Sequence, residues 1–225
     1  MNRTLLLDQI ADHVASLACP HPLRVAIDGI DAAGKTTFAD GFVQPLETRG
    51  RPVIRASLDR FHYPRMVRYR RGSNSPEGYL YDSFDYHALK TNLLEPLGPG
   101  GSLEIRTSVF DFRTDSSAAL STCKAPSDAI LLFDGVFLLR EELDGCWDVS
   151  VFLDVDFDVA LERAVRRDRA YFGSVEKVCD RYRKRYFPGQ RLYLQARQPR
   201  ARADFVIDNN DPMNPVIAMW RMPGR

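Results

Sequence analysis

Cysteine is scarce in this chain and never paired. The four, Cys19, Cys123, Cys146 and Cys179, are widely spaced, and none belongs to a CxxC pair. That argues against a zinc site or a disulfide framework and leaves the reduced thiols of a cytoplasmic protein as the expectation. The four histidines, His13, His21, His62 and His87, show no metal-ligand spacing. An excess of one charge is also lacking. The formal net charge is +1, which gives no reason to expect a nucleic-acid or membrane partner. Long apolar runs are missing too. The stretch MNRTLLLDQIADHV is broken by Asp8 and Asp12 and too short for a secretion signal, and no segment approaches a bilayer span. There is no internal repeat and no low-complexity tract.

What is present is an ordinary globular composition: 225 residues, 44% hydrophobic and 27% charged, enough for one α/β domain rather than two. Leu5, Leu6, Ile10, Val14 and Leu17 recur at helical spacing, so residues 4–18 read as an amphipathic helix within an N-terminal segment 1–20. Apolar runs at 23–28, 53–58, 129–133, 149–153 and 204–207 read as strands. Helices are expected at 36–46 (stopped near Pro45), 86–94, 159–168 and 176–186. The alternation argues for a parallel sheet of about five strands with helices on both faces. Residues 102–112 are expected outside that sheet, as a strand or hairpin arm, and the irregular stretch 59–84 reads as a functional loop. Beyond Trp220 the chain reads as a frayed tail.

The segment RVAIDGIDAAGKTTFAD, Arg24–Asp40, carries the strongest signal. Gly29-Ile30-Asp31-Ala32-Ala33-Gly34-Lys35-Thr36 fits GxxxxGK[ST], after a buried strand and before a helix, with Thr37 next. Glycines let the loop turn its backbone N–H groups inward, and the following helix offers its N-terminus to negative charge. Lys35 would reach the β- and γ-phosphates of ATP or another NTP, and the Thr36 hydroxyl would ligate Mg²⁺.

Two acids follow strands. Asp134 closes AILLFD, the position of a Walker B acid that holds Mg²⁺; the alternative is a plain turn residue. Asp59, in SLDRFHYPR, follows the second strand, and strand C-termini converge on the binding crevice of such sheets. There it could take a proton from an attacking hydroxyl or touch the metal shell; a salt bridge with Arg60 explains it equally well. Arg163 and Arg167 are one helical turn apart and suit a lid over a phosphate, unless they belong to a solvated face. Arg65, Arg68, Arg70 and Arg71 crowd MVRYRRG. They fit a solvated loop, a site for a phosphate already on the acceptor, or, interleaved with Tyr63 and Tyr69, nucleic acid.

The order GIDAAGKTT, SLDRFH, GYLYDSFDY, VFDF, LLFDGVF and RAVRRD, spread over residues 22–210, resembles the uridine kinase–phosphoribulokinase branch of P-loop kinases, with uridine–cytidine kinases the nearest fit. The resemblance implies one P-loop kinase domain over 1–225, an acceptor-binding insertion at 59–115 and an arginine-rich lid at 163–190. It implies transfer from ATP-Mg²⁺ to a primary hydroxyl of a small-molecule acceptor, with self-association into a homo-oligomer left open. On this likeness Asp59 is the general base, and Tyr81-Asp82 matches the Phe-Asp whose acid holds ribose hydroxyls. Phe110-Asp111-Phe112 matches the Tyr-Asp-Phe of the base pocket, and Arg163 and Arg167 are lid arginines. Apart from the likeness, His62 and Tyr63 are candidates to line the acceptor cleft, and a surface histidine explains His62 equally well.

The chain departs from the pattern in three places. Asp134-Gly135 replaces Glu-Gly, Phe110 lacks the aromatic hydroxyl, and Arg113-Thr114-Asp115 stands where a base-reading histidine is expected. A kinase for a phosphosugar or other metabolite is therefore the alternative acceptor reading. A regulatory P-loop protein without transfer chemistry is the alternative of a different class, and it has no need of a base such as Asp59.

Overall fold

The computed structural model describes residues 2–118 and 121–221. Its centre is a six-stranded sheet: β1 (Leu23–Gly29), β2 (Val53–Ser57), β3 (Ile130–Asp134), β4 (Val149–Asp154), β5 (Phe205–Asp208) and β6 (Val216–Trp220). The order is β6-β5-β4-β1-β3-β2, parallel throughout except for β6, which runs antiparallel to β5 at the edge. The five strands expected from the sequence are those of the parallel part. The sixth, VIAMW, is an addition lying just before the expected tail, and the tail itself falls mainly on residues 222–225, outside the described residues.

Side chains alternate across a strand, so a fully apolar strand fills two cores at once. Val25, Ile27, Leu132, Val151, Leu153, Phe205 and Ile207 face one core, shared with helices α1 (Arg3–Ser16) and α2 (Lys35–Glu47). Ala26, Leu131, Phe133, Phe152 and Val206 face the other, shared with α3 (Pro76–Asp82) and the segment Val136–Leu139. Each such Val, Leu, Ile or Phe contributes roughly 1.5–3 kcal/mol on burial.

Three helix expectations are revised. Pro45 does not stop α2, which runs to Glu47 with Pro45 in its last turn; that late, the missing N–H removes one bond only. The helix at 86–94 is α-helical over Tyr86–Leu89 and a π-turn over Lys90–Leu94. After α4 (Phe157–Phe172), the helix expected at 176–186 begins as α5 (Val175–Arg181) and passes through a π-turn at Tyr182–Tyr186. It then continues as α6 (Phe187–Arg197). Pro188 looks like a terminator, but the wider π-turn before it absorbs the missing donor. Residues 102–112 do lie outside the main sheet. Glu104–Ile105 pairs with Cys123–Lys124, and Phe110–Asp111 pairs with Ser116–Ser117.

At the sheet end away from the phosphate loop, Cys19, His21 and Asp148 offer ligand atoms within 4.8 Å of one another, although their spacing showed no metal pattern. Asp148 there accepts two hydrogen bonds from the Arg24 guanidinium, each 3.0 Å, so its charge is already matched.

Helices α3 and α6 approach through Gly189. A Cβ there would stand 2.9 Å from the Pro76 carbonyl oxygen and 3.1 Å from Tyr79 Cδ1. Alanine is otherwise the better helix former by about 1 kcal/mol. Gly189→Ala is nevertheless expected to lower stability by roughly 1–3 kcal/mol in chemical denaturation, because backbone cannot yield as a side chain does. A variant as stable as the parent would show that the two helices do not meet this closely.

Candidate active site

The chain leaves β1 at Gly29, where φ is +153° and a Cβ would lie 2.8 Å from the Leu153 carbonyl oxygen. Gly34, at φ +92°, opens α2. Between them the buried Ala33 donates to the Ile30 carbonyl, and Ala32 takes a left-handed φ of 59°. Asn209, from the loop after β5, donates to the Ala33 carbonyl at 2.7 Å and braces the loop from outside. Lys35 Nζ folds back onto the Ile30 carbonyl at 2.7 Å. Glycines at positive φ, exposed Thr36 and Thr37 on the first turn of α2, and a lysine held only by its own loop suit a polyphosphate.

At the first turn of α2, the Thr36 hydroxyl donates to Asp134 Oδ2 at 2.7 Å, and Ser57 Oγ lies 3.5 Å from the same oxygen. A hydroxyl beside a buried carboxylate at a strand end is the donor set a magnesium ion uses. Asp134 Oδ1 accepts from Arg55 at 2.9 Å, and Arg55 also bridges to Asp40 on α2. Arg55 was not anticipated. It sits on the same face of β2 as Ser57, an alternation legible only once β2 and β3 are known to be neighbours.

Asp59 lies in the middle of a short 3-10 turn after β2, Leu58–Arg60, and is open to solvent. It nevertheless stands in a crevice walled by protein, which raises its carboxyl above the ordinary range, against the pull of the Lys35 ammonium; Asp134 adds to the rise. Lys35 in turn feels Asp31, Asp28, Asp134 and Asp59, which oppose the fall that burial imposes on it. The structure thus brings Asp59, Asp134, Lys35 and Asp31 into one electrostatic neighbourhood. No salt bridge joins Asp59 to Arg60 among the described residues.

The His62 ring packs against Phe84 (ring centroids 4.5 Å apart) and Phe112 (5.1 Å), tilted to both. Burial holds its pKa down to about 4, so the ring is neutral at pH 7. Nδ1 lies 3.1 Å from the Asp59 carbonyl oxygen, which requires the proton on Nδ1 and leaves Nε2 an acceptor. Phe110 is buried in the hairpin, and Val109 N–H donates to the Arg60 carbonyl, so that hairpin closes over the Asp59 turn. Tyr63 stands half-buried beside Asp85.

Other expected residues lie elsewhere. Tyr81 is 55% exposed on the solvent side of α3; Tyr79, two residues earlier, holds the inner side. Asp82 is buried, with Oδ1 taken by Arg70 and Oδ2 by Arg71 at 2.7 Å, which holds its carboxyl below the usual range. Arg163 and Arg167 do not share a partner. Arg163 donates to the carbonyls of Asn209 and Asn210 at 2.8 and 2.9 Å, on the side that braces the phosphate loop. Arg167 pairs with Asp168 at 2.7 Å and touches the Tyr182 hydroxyl, within electrostatic reach of Asp31 and Asp59.

An open, mostly parallel α/β sheet with a phosphate loop between its central strand and the next helix defines a P-loop protein of the kinase type. More narrowly, the chain belongs to the Phosphoribulokinase / Uridine kinase family, whose model matches residues 25–211. It is 33% identical over 170 residues to uridine-cytidine kinase B of Dictyostelium discoideum, covering 73% of this chain and 66% of that protein. It is 31% identical over 166 residues to uridine-cytidine kinase A of the same organism, covering 72% and 31%. The chain thus spans just under two thirds of the first relative's length and under one third of the second's. A solved structure of a possible uridine kinase from Bacillus stearothermophilus superposes with a TM-score of 0.69 over 89% of this chain and 96% of that one. At 23% identity, that likeness is one of fold. No helix among the described residues is long and apolar enough to cross a membrane.

Under the loop lies Asp28, fully buried, accepting from Gly29 N–H at 2.7 Å and from the Tyr193 hydroxyl. Loss of water pushes its pKa up to about 6, partly offset by Tyr193. The unfolded chain releases this proton near pH 4 and the folded one near pH 6, so the group's contribution to stability falls as pH rises through that window. Asp28→Asn should remove this fall. Between pH 4 and pH 8 the stability of the variant relative to the parent should improve by on the order of 2 kcal/mol. Parallel pH profiles of the two unfolding midpoints would contradict it.

Proposed function

We propose that this protein is a kinase that passes the γ-phosphoryl of ATP to a primary hydroxyl, most simply the 5′-hydroxyl of a pyrimidine nucleoside. The observation that carries it is Asp59. A carboxylate stands on the acceptor side of the phosphate loop, within the fields of Lys35 and Asp134, with no salt bridge to Arg60 among the described residues to account for it. A protein that only sensed nucleotide would not need it. The names of the relatives support the nucleoside, and four free cysteines fit a reducing cytoplasm.

On this reading Gly29–Thr37 and Lys35 hold the phosphates, and Thr36 and Asp134 hold Mg²⁺. The metal, when bound, supplies positive charge against the charge that develops on the transferred group. Asp59 orients the acceptor hydroxyl and takes its proton. A weak base suffices, because a loose transition state calls for little deprotonation early. Arg167 adds positive charge from α4. His62, neutral and packed against Phe84 and Phe112, forms an apolar wall with one acceptor nitrogen. Arg163 acts at one remove, through the loop of Asn209 and Asn210.

A second reading is favoured by one observation. An open pocket of about 570 Å³ is lined by Arg65, Met66, Tyr69, Ser73, Asp115 and Arg181, and the Arg65 side chain has no carboxylate partner there among the described residues. It suits an acceptor that already carries a phosphate.

The test is ADP release over a panel of uridine, cytidine, ribose, ribose 5-phosphate and glycerate. Stimulation by a nucleoside supports the first reading and stimulation by the phosphosugar alone supports the second. Binding of ATP with no stimulated turnover would return the protein to the sensor class. With the active acceptor, Asp59→Asn should lower kcat by roughly 10²–10⁴-fold, unrescued by excess Mg²⁺. The base acts ionised, so the parent's kcat should fall on the acid side at a pH above that of a free aspartate, the direction its surroundings impose. A variant that keeps most of its kcat removes Asp59 from the mechanism.

A further inference from the structure

A strand that packs beneath a helix ordinarily carries apolar side chains on that face. Val53 on β2 does so, packing against the core shared with α1 and α2. Two residues on, the same face of β2 carries Arg55. Its side chain is 24% exposed, and burying so much of a guanidinium is costly unless its donors are met. Nε and Nη2 donate to Asp40 Oδ1 on α2 at 3.1 and 2.9 Å, and Nη2 donates also to Asp134 Oδ1 at 2.9 Å. Nη1 donates to the carbonyls of Leu132 and Ala56 at 2.7 and 3.2 Å. An arginine presents its N–H donors in a rigid fork, so contacts on every arm hold the guanidinium in one place.

Arg55 is thus one of two links between α2 and the acid that ends β3. The other is the Thr36 hydroxyl, which donates to Asp134 Oδ2 at 2.7 Å. Thr36 and Asp40 lie four residues apart on α2, on one face of the helix, so the two links are one turn apart. Asp40 is 62% exposed, and an ion pair so open contributes little to stability. The second link matters where the first is lost. A divalent cation held by Thr36 and Asp134 displaces the hydrogen bond between them, and Mg²⁺ accepts little departure from octahedral geometry. The guanidinium then fixes where the carboxylate stands relative to the helix. We propose that Arg55, anchored on Asp40, is a positioning residue that sets the separation of Thr36 and Asp134, and with it the affinity for the divalent cation that accompanies ATP. The inference rests on the kinase reading for the metal-bound nucleotide and on nothing about the acceptor.

The experiment measures ATP affinity by titration calorimetry over a range of Mg²⁺ concentrations, and again in EDTA. It compares the parent, Arg55→Lys, Asp40→Ala and the double variant. Lysine keeps the charge beside Asp134 but has no fork to join it to Asp40. Alanine removes the anchor at an exposed helical position that suits it. In each single variant the Mg²⁺ concentration giving half of the metal-dependent gain in ATP affinity should rise by roughly 10-fold, while affinity in EDTA changes less than about twofold. The double variant should be no worse than Arg55→Lys alone, because each change cuts the same link. Parent-like Mg²⁺ dependence in either single variant overturns the proposal. An equal loss in EDTA also overturns it, by assigning the arginine to the nucleotide or the fold, as does a double variant whose two effects add. Should Arg55→Lys not fold, Asp40→Ala decides by the same measure. If the variants show the expected pattern and no acceptor is phosphorylated, the kinase reading is retired and this one is upheld. A parent that binds ATP no tighter with Mg²⁺ overturns this proposal whatever it phosphorylates, and one that binds no ATP retires both.

Discussion

One ammonium stands among four carboxylates. Lys35 is acted on by Asp28, Asp31, Asp59 and Asp134, and the arrangement of the site follows from how each of those charges is contained. Asp28 is buried and held by Tyr193 and Gly29 N–H. Asp31 is tied to Tyr79 and Gln190, and Asp134 to Arg55 and Thr36. Asp59 alone of the four has neither a salt bridge nor burial from solvent. A polyphosphate entering this neighbourhood adds negative charge to an excess of it. The loop amides and the α2 N-terminus offset part, and Arg167 more. A divalent cation held by Thr36 and Asp134 would offset the rest, which is what the proposed function asks of these two residues.

The parts legible from sequence were those with local causes. The phosphate loop is written in consecutive residues, and a strand buried on both faces is an unbroken apolar run, so Leu23–Gly29 and Ile130–Asp134 announced themselves. The edge strand Val216–Trp220 is half-exposed, short and close to the end of the described chain, and no pattern sets it apart. Helix α6 was not among the expected helices: Pro188-Gly189 is a helix-breaking pair, and the preceding π-turn that makes the proline tolerable has no local signature. The Asp31–Gln190 contact joins residues 159 positions apart, and only the packing of α6 on α3 through Gly189 brings them together. Arg55 likewise needed the β2–β3 register before its charge could be assigned to Asp134.

The arginine cluster shows the limit of composition most clearly. MVRYRRG could be a solvated loop, an anion site or a nucleic-acid patch. In the structure Arg68 is matched by Asp115, and Arg70 and Arg71 by Asp82. These arginines are largely the loop's own scaffolding, and of the four Arg65 faces the open pocket with no carboxylate partner among the described residues. The charge that organises the loop comes from outside it. Arg185, on the π-turn before α6, is 2% exposed and donates to the carbonyls of Arg68, Gly72, Ser73 and Ser75, with Tyr69 and Tyr79 against its guanidinium.

A buried guanidinium without a carboxylate partner is costly unless its donors are met, and here carbonyl oxygens and ring faces meet them. That ties the arginine-rich loop to the phosphate loop. The helical run from Val175 to Arg197 grips the loop 68–75 through Arg185 and the Ser73 carbonyl through Arg181, and farther along it carries Gln190 to Asp31. Helix α3 lies between, its Tyr79 touching both the Arg185 guanidinium and the Asp31 carboxylate. Loop, lid-side helix and phosphate loop are therefore joined by polar contacts that converge on one tyrosine. A displacement of the helical run would move Gln190 and the arginine-held loop together, so that the position of that loop and the hydrogen bonding of Asp31 are set by the same packing.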